Sequence, residues 1–407
     1  MKLLLKSVAV LSLASALPVL SSAQHYTQKN LVSDLPQPNN ADGSPVVLDP
    51  NLVNPWGITR SSGGPWWVSN NNSGTSTLYD GNGNPATGFP DPAGSKFDNF
   101  VIVPPPKFAP GASATPTGIV FNGSPTDFIL DKGTPPTNPA FFIFVTEDGT
   151  ISGWHPADNI PPGGSAPSIN VVLEVDNSGN GSPNGAVYKG ATTADIQGVR
   201  YLYVTNFRAA RVEVYDTHFH RVHFGEDAFE DESIPEGFAP FNVQNIGGSL
   251  FVTYAKRDPA RHDDTPGDGL GYVDIYSPAG KLEGRLEHGD WMNAPWGVVW
   301  TPRDFGEFSN TILVGNFGSG WIAAFNGFTR KFIGFMRNPD NSLITGFGRL
   351  RSATETAQVP PPRCISVPES KARIMACSAC SRRSRPSRTA TKSSVSDSLE
   401  MPALFPR

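Results

Sequence analysis

Cysteine is nearly missing from this chain: its 407 residues hold three, Cys364, Cys377 and Cys380. Disulfides and thiolate metal centres therefore cannot hold the first 345 residues together, and packing must do so. Charge is sparse too, at 17% Asp, Glu, Lys and Arg with a formal net charge of −5. A net acidic chain offers no electrostatic footprint for nucleic acid. Beyond the first 20 residues there is no long apolar run, so no later segment is expected to span a membrane as a helix. The start itself carries Lys2 and Lys6 ahead of an apolar stretch, Val8 to Leu20, that ends in Ser21-Ser22-Ala23. That stretch is too short to cross a bilayer and has the pattern of a removable leader. Residues 1–23 are thus expected to be a signal peptide, leaving a soluble protein, secreted or periplasmic, after cleavage near Ala23. Two familiar catalytic signatures are also missing, the Gly-x-Ser-x-Gly elbow and the His-Glu-x-x-His zinc helix, which removes support for those hydrolase chemistries.

Turn formers, by contrast, are plentiful, with 41 Gly and 39 Pro, a density that suits short strands and not helices. One phrase recurs five times at intervals of about fifty to seventy residues, a period that signals stacked or radial repeats. It opens as Asn54-Pro55-Trp56-Gly57-Ile58, Thr115-Pro116-Thr117-Gly118-Ile119, Val187-Tyr188-Lys189-Gly190, Ala239-Pro240-Phe241-Asn242-Val243 and Ala294-Pro295-Trp296-Gly297-Val298. A second apolar strand follows each opening, then a turn and a third strand with an aromatic at its end, as in Tyr203-Val204-Thr205-Asn206 to Val214-Tyr215-Asp216. Phe141 to Val145 is apolar at every position, as expected for a strand covered on both faces by neighbouring sheets. The reading is an all-β, six-bladed β-propeller spanning 24–345, with five blades evident in the sequence.

In a blade whose antiparallel strands run outward from a channel, the turn entering strand one and the loop leaving strand two emerge on one face. Two rings are expected to converge there: Trp56, Thr117, Lys189, Phe241 and Trp296, and Asn70, Glu147, Asn206, Tyr254 and Asn316. Aromatic platforms beside amides and a carboxylate suit a glycan, a peptide or a small amphipathic ligand. The plainer alternative is that these aromatics pack the core and the asparagines close turns. Elsewhere, Asp263, Asp264 and Asp268 gather oxygen ligands in an insertion of the fourth repeat. They are a candidate for calcium without the spacing of an EF-hand loop, against the plainer reading of a solvated hairpin tip. His218 and His220 fall on one side of an extended stretch, a weaker candidate for metal.

The run Tyr26 to Asp34, then Asp49-Pro50-Asn51-Leu52-Val53-Asn54-Pro55-Trp56-Gly57, and Gly237 to Gly248 resemble a family of uncharacterised secreted bacterial propellers, some with a PEP-CTERM sorting signal. The resemblance implies a fold similar to NHL-type propellers and carries no established activity. Tyr26 to Ser33 sits just before the first repeat opening, where the fourth strand of a preceding blade belongs, and is expected to complete the last blade, closing the ring and removing open sheet edges. The resemblance fails from Gly346 onward, where 62 residues hold two of the 42 aromatics and 11 Lys and Arg against 4 Asp and Glu. Read one frame over, permitted codons at Phe347–Thr354, Arg363–Pro368 and Ile374–Ser381 restore blade-like strands. Residues 346–407 are therefore expected to be an aberrant, disordered tail standing where the last blade belongs.

Two functional expectations follow. The first is a monomeric, non-catalytic binding propeller whose top-face funnel recognises an extracellular ligand, glycan or protein. The second is a metal-assisted hydrolase or lyase resembling the gluconolactonase and streptogramin-lyase propellers, with Glu147 and Asn206 holding a divalent ion.

Overall fold

The computed structural model describes residues 25–90, 97–160, 167–345, 364–365 and 381–383. The expected leader and most of the tail lie outside them. Among the described residues there is no α-helix, only two short 3-10 turns at Gly179–Gly181 and Gly306–Phe308, and no helix is long and apolar enough to cross a membrane.

Five four-stranded antiparallel sheets account for the repeats. Their inner strands are Pro55–Arg60, Pro116–Phe121, Tyr188–Ile196, Phe238–Ile246 and Pro295–Trp300, each hairpinned to a second strand and then to a third and fourth further out. Successive inner strands pack side by side around a central channel. The twofold alternation of a strand explains the doubly apolar segments. In Phe142–Thr146, Phe142 and Phe144 face Trp67, Leu78 and Val101 of blade 1. Ile143 and Val145 face Tyr188, Leu202 and Val204 of blade 3. Equivalent apolar seams fill the space between blades 3 and 4 and between blades 4 and 5, so the core is a fan of sheet-on-sheet contacts.

The glycine of the repeated phrase marks where neighbouring inner strands come closest. A Cβ on Gly57 would stand 2.5 Å from the Thr117 carbonyl oxygen of blade 2, and one on Gly118 would stand 2.7 Å from the Ala191 nitrogen of blade 3. Blade 4 has Asn242 instead, and its side-chain amide donates to the Trp296 carbonyl of blade 5 at 2.7 Å.

Between blade 5 and blade 1 the chain start acts as a clasp. Tyr26 stacks on Phe305 and Phe308 with ring centroids 5.2 and 5.8 Å away. Its hydroxyl donates to the Phe305 carbonyl at 2.8 Å and accepts from the Phe308 amide at 3.0 Å. Five residues on, Leu31 and Val32 enter the outer flank of blade 1 beside Leu52, Ile58, Trp66 and Tyr79. The expected last blade is not seen as a four-stranded sheet among the described residues. The clasp nonetheless has backbone partners: Tyr26–Gln28 pairs antiparallel with Ser381–Arg383, and Val32–Ser33 lies between Cys364–Ile365 and Val47–Leu48.

Candidate functional site

Every inner strand carries a register irregularity at the same place, between Pro55 and Ile58, Pro116 and Ile119, Tyr188 and Gly190, Pro240 and Asn242, and Pro295 and Gly297. A bulge re-aims the residue that it contains. Five bulges in a ring bring Trp56, Lys189, Phe241 and Trp296 together at one end of the channel. Trp56 and Trp296 meet edge to face at 5.6 Å and Trp56 and Phe241 at 6.1 Å, although they belong to three different blades. Thr117 also sits in this ring and donates across the seam to the Tyr188 carbonyl at 2.8 Å.

Strand pairing also fixes the second ring. Pro55 faces Asn70, Pro116 faces Thr146, Tyr188 faces Asn206, Pro240 faces Tyr254 and Pro295 faces Asn316. Glu147 is therefore not equivalent to Asn70, Asn206, Tyr254 and Asn316 but lies one position further along, with Asn71, Phe207, Ala255 and Phe317. One hydrogen bond repeats this equivalence: the amides of Asn71, Glu147, Phe207 and Phe317 donate to Asn54, Thr115, Val187 and Ala294 carbonyls at 2.8–3.0 Å. The residues at the earlier position serve their own blades. Asn70 donates to Thr75 and Thr77 at 3.1 and 3.0 Å, and Asn206 donates to Glu213 at 3.0 Å. Asn316 accepts from the Asn293 amide and donates to the Trp291 carbonyl, both at 2.9 Å, while Tyr254 shares a hydrogen bond with Tyr276 at 2.8 Å.

Lys189 occupies the centre. Its side chain is 1% exposed, and its ammonium lies 5.2, 5.7 and 6.0 Å from the ring centres of Trp56, Phe207 and Phe241. It donates to Glu147 Oε1 in a short contact and to Asp263 Oδ1 at 3.3 Å. Burial works to strip the proton from this ammonium, but the charges of Glu147 and Asp263 outweigh it and hold the pKa above the ordinary lysine value. Glu147 is fixed from its other oxygen by the Asn71 amide at 2.8 Å, and Asn71 is fixed in turn by Asn54 at 3.0 Å. Asp263 arrives from the insertion of the fourth repeat, whose backbone folds over the Asp258 carboxylate. His262 Nδ1 lies 3.1 Å from Asp263 Oδ1; this contact first, and then Lys189, hold the Asp263 carboxyl far below its usual range.

Among the described residues, the one group of three whose ligand atoms lie within 4.8 Å of one another is Glu147, His262 and Asp263. Asp264 and Asp268 are not members of it, and Asp268 instead accepts from Asn293 at 3.4 Å. Asn206 lies with Glu213 and not with Glu147. His218 and His220 belong to a turn and not to a strand, with their ring centroids 6.3 Å apart and their imidazoles close to Asp131 and Asp216 respectively. Asn71, Phe207, Phe317 and His262 are site residues that the repeat phrase did not single out.

These features define an all-β propeller whose channel is plugged at one end by a caged ammonium. No family model matches the chain. An uncharacterized protein of Acanthamoeba polyphaga mimivirus is 34% identical over 58% of this chain, and the chain spans 40% of that relative's length. A second uncharacterized protein of the same virus is 30% identical over 74% of this chain and 68% of its own length. The chain belongs to the family of that second protein. The relatives found are viral, so the bacterial source and the sorting signal of the resemblance find no support. Among solved structures the chain is similar to virginiamycin B lyase from Staphylococcus aureus, at 10% identity over 72% of each chain with a TM-score of 0.38. It is also similar to a gluconolactonase from Xanthomonas campestris, at 11% identity over 56% of this chain and 77% of that one with a TM-score of 0.31. The activities of those two enzymes are theirs alone at this level of likeness.

Proposed function

We propose that this chain is a non-catalytic binding propeller, acting outside the cytoplasm once residues 1–23 are removed, that engages its ligand at the mouth formed by Glu147, Lys189, His262 and Asp263. The observation that carries this reading is the position of the Lys189 ammonium. It fills the middle of the cage, pairs with two carboxylates and has aromatic faces on its other sides. A ligand therefore meets the mouth and does not pass into the channel. Two carboxylates against one ammonium leave one negative charge in excess, which favours a glycan or protein surface rich in hydrogen-bond donors. Trp56, Phe241 and Trp296 shape the cage and keep the ammonium in place.

The competing reading, metal-assisted hydrolysis or lyase chemistry, is favoured by the Glu147, His262 and Asp263 donor set. It requires a divalent ion to displace the Lys189 ammonium from both carboxylates, because two cations cannot share them without strong repulsion. Metal analysis of purified full-length protein separates the two. Binding predicts that wild type and Glu147→Gln hold the same substoichiometric divalent metal while differing in retention on glycan and peptide arrays. One tightly held ion per chain, lost in Glu147→Gln, overturns the binding reading in favour of the enzyme.

A further inference from the structure

The channel has a second mouth at the far ends of the same inner strands. A cavity of 430 Å³ opens there, lined from all five blades and including Arg60, Trp66, Phe121, Thr193, Gln244 and Trp300. Its size falls within the range of small-molecule sites. Arg60 is the one ionisable residue in that lining. It stands directly across the first hairpin from Trp66, and its guanidinium carbon lies 4.9 Å from the centre of the Trp66 ring. Stacking holds a guanidinium by its face and leaves its edge donors free for a planar acceptor. Among the described residues, the Arg60 guanidinium makes no hydrogen bond or ion pair, and neither does the Gln244 side-chain amide. Asn245 next to it is committed, donating to the Thr193 carbonyl at 2.8 Å and accepting from the Gly248 amide at 3.0 Å.

We propose that this second mouth is a binding site for a small organic monocarboxylate with a flat, amphipathic body. The carboxylate takes the Arg60 fork, the body lies among Trp66, Phe121 and Trp300, and a polar substituent reaches Gln244. One guanidinium with no second cation beside it balances one negative charge, which matches a carboxylate better than a phosphate dianion. The aromatic walls supply the apolar contact that orients the body.

The test is titration calorimetry of the full chain with 4-hydroxybenzoate, its neutral analogue 4-hydroxybenzamide, and inorganic phosphate. The carboxylate is expected to bind with a Kd of roughly a millimolar or tighter, and the amide and phosphate at least about tenfold more weakly. Arg60→Gln should weaken carboxylate binding by roughly ten- to a hundredfold, Arg60→Lys should weaken it less, and Gln244→Ala should weaken it with the melting temperature unchanged. Glu147→Gln, at the other mouth, should leave it unchanged, so failure here and failure of the Lys189 reading are distinguishable. The proposal is overturned if 4-hydroxybenzoate shows no binding at millimolar concentration. It is equally overturned if amide or phosphate binds as well as the acid, or if Gln244→Ala and folded Arg60 variants bind like wild type.

Discussion

Replacing Lys189 by Met keeps an unbranched side chain, one atom shorter, and removes its charge and its donors. Glu147, whose side chain is 10% exposed, would keep the Asn71 amide and lose its cation. Breaking a buried ion pair from one side costs about 3–5 kcal/mol, since the remaining charge stays desolvated. The contact with Asp263 adds little, because that carboxylate is 65% exposed and water replaces the ammonium there. The three aromatic faces lose a cation worth about 0.5–2 kcal/mol and gain a thioether worth about 0.3–1.5 kcal/mol, so this exchange nearly cancels. The net expectation is a loss of about 3–5 kcal/mol, a large share of the stability of an ordinary domain. Urea unfolding followed by tryptophan fluorescence measures it, as a fall in midpoint at constant slope. The double variant Lys189→Met/Glu147→Gln removes both charges and should recover much of the loss. A single variant within about 0.5 kcal/mol of wild type, or a double variant no better than the single, would refute the view that the ammonium is a buried counterion.

Four other outcomes are expected. Tyr26→Phe removes a hydroxyl that serves the Phe305 carbonyl and the Phe308 amide, so thermal unfolding should show a loss of about 1–3 kcal/mol, and an unchanged melting temperature would mean that the clasp is not closing the ring. Gly57→Ala drives a methyl into the blade 2 backbone and should cost about 1–3 kcal/mol, whereas Gly334→Ala, with nothing within 4 Å of its added Cβ, should be nearly silent in the same melt. Glu213 is buried, which works to raise its pKa, but Asn206 and Arg211 outweigh this and hold the carboxyl below its usual range. Its contribution is therefore present above the unfolded value of about 4 and lost as pH falls through the lower folded value. Melting temperature should accordingly drop below about pH 4, less steeply in Glu213→Gln; parallel curves would show that other carboxylates control the acid limb. Finally, exchanging residues 346–407 for the shifted-frame sequence should raise solubility and sharpen the melt, and a chain no more stable after the exchange would mark the tail as native.

The repeat phrase makes the blades legible because turn chemistry and burial agree across the copies: in four copies a Pro enters the inner strand, in four a Gly stands at the closest approach between blades, and an aromatic lies where an inter-blade seam needs filling. The placement of the first ring is legible in the sequence, since the residue beside each Gly or Asn is the bulged one. In the second ring the position of Glu147 differs by one residue from the sequence pattern, and the reason lies in blade 2. Phe144 and Val145 are both fully buried, one in the seam toward blade 1 and the other in the seam toward blade 3. In a strand covered on both faces, alternation no longer tells which residue faces which side, so register is undetermined by pattern. Aligning Val145 with Val68 puts Glu147 beside Asn70. The pairing of Ile119 with Phe144 and of Ile58 with Val68 aligns Phe144 with Val68 instead, which moves Glu147 beside Asn71, Phe207 and Phe317. Asn70, Asn206, Tyr254 and Asn316 support their own blades, while the shift in blade 2 carries Glu147 to the cage around Lys189. His262 was beyond the reach of any repeat argument, because it comes from an insertion in one blade only. What distinguishes this propeller is therefore carried by the departures from its repeat: a lysine where other blades have Trp, Phe or Thr, a glutamate where they have Asn, Phe or Ala, and a hairpin that no other blade possesses.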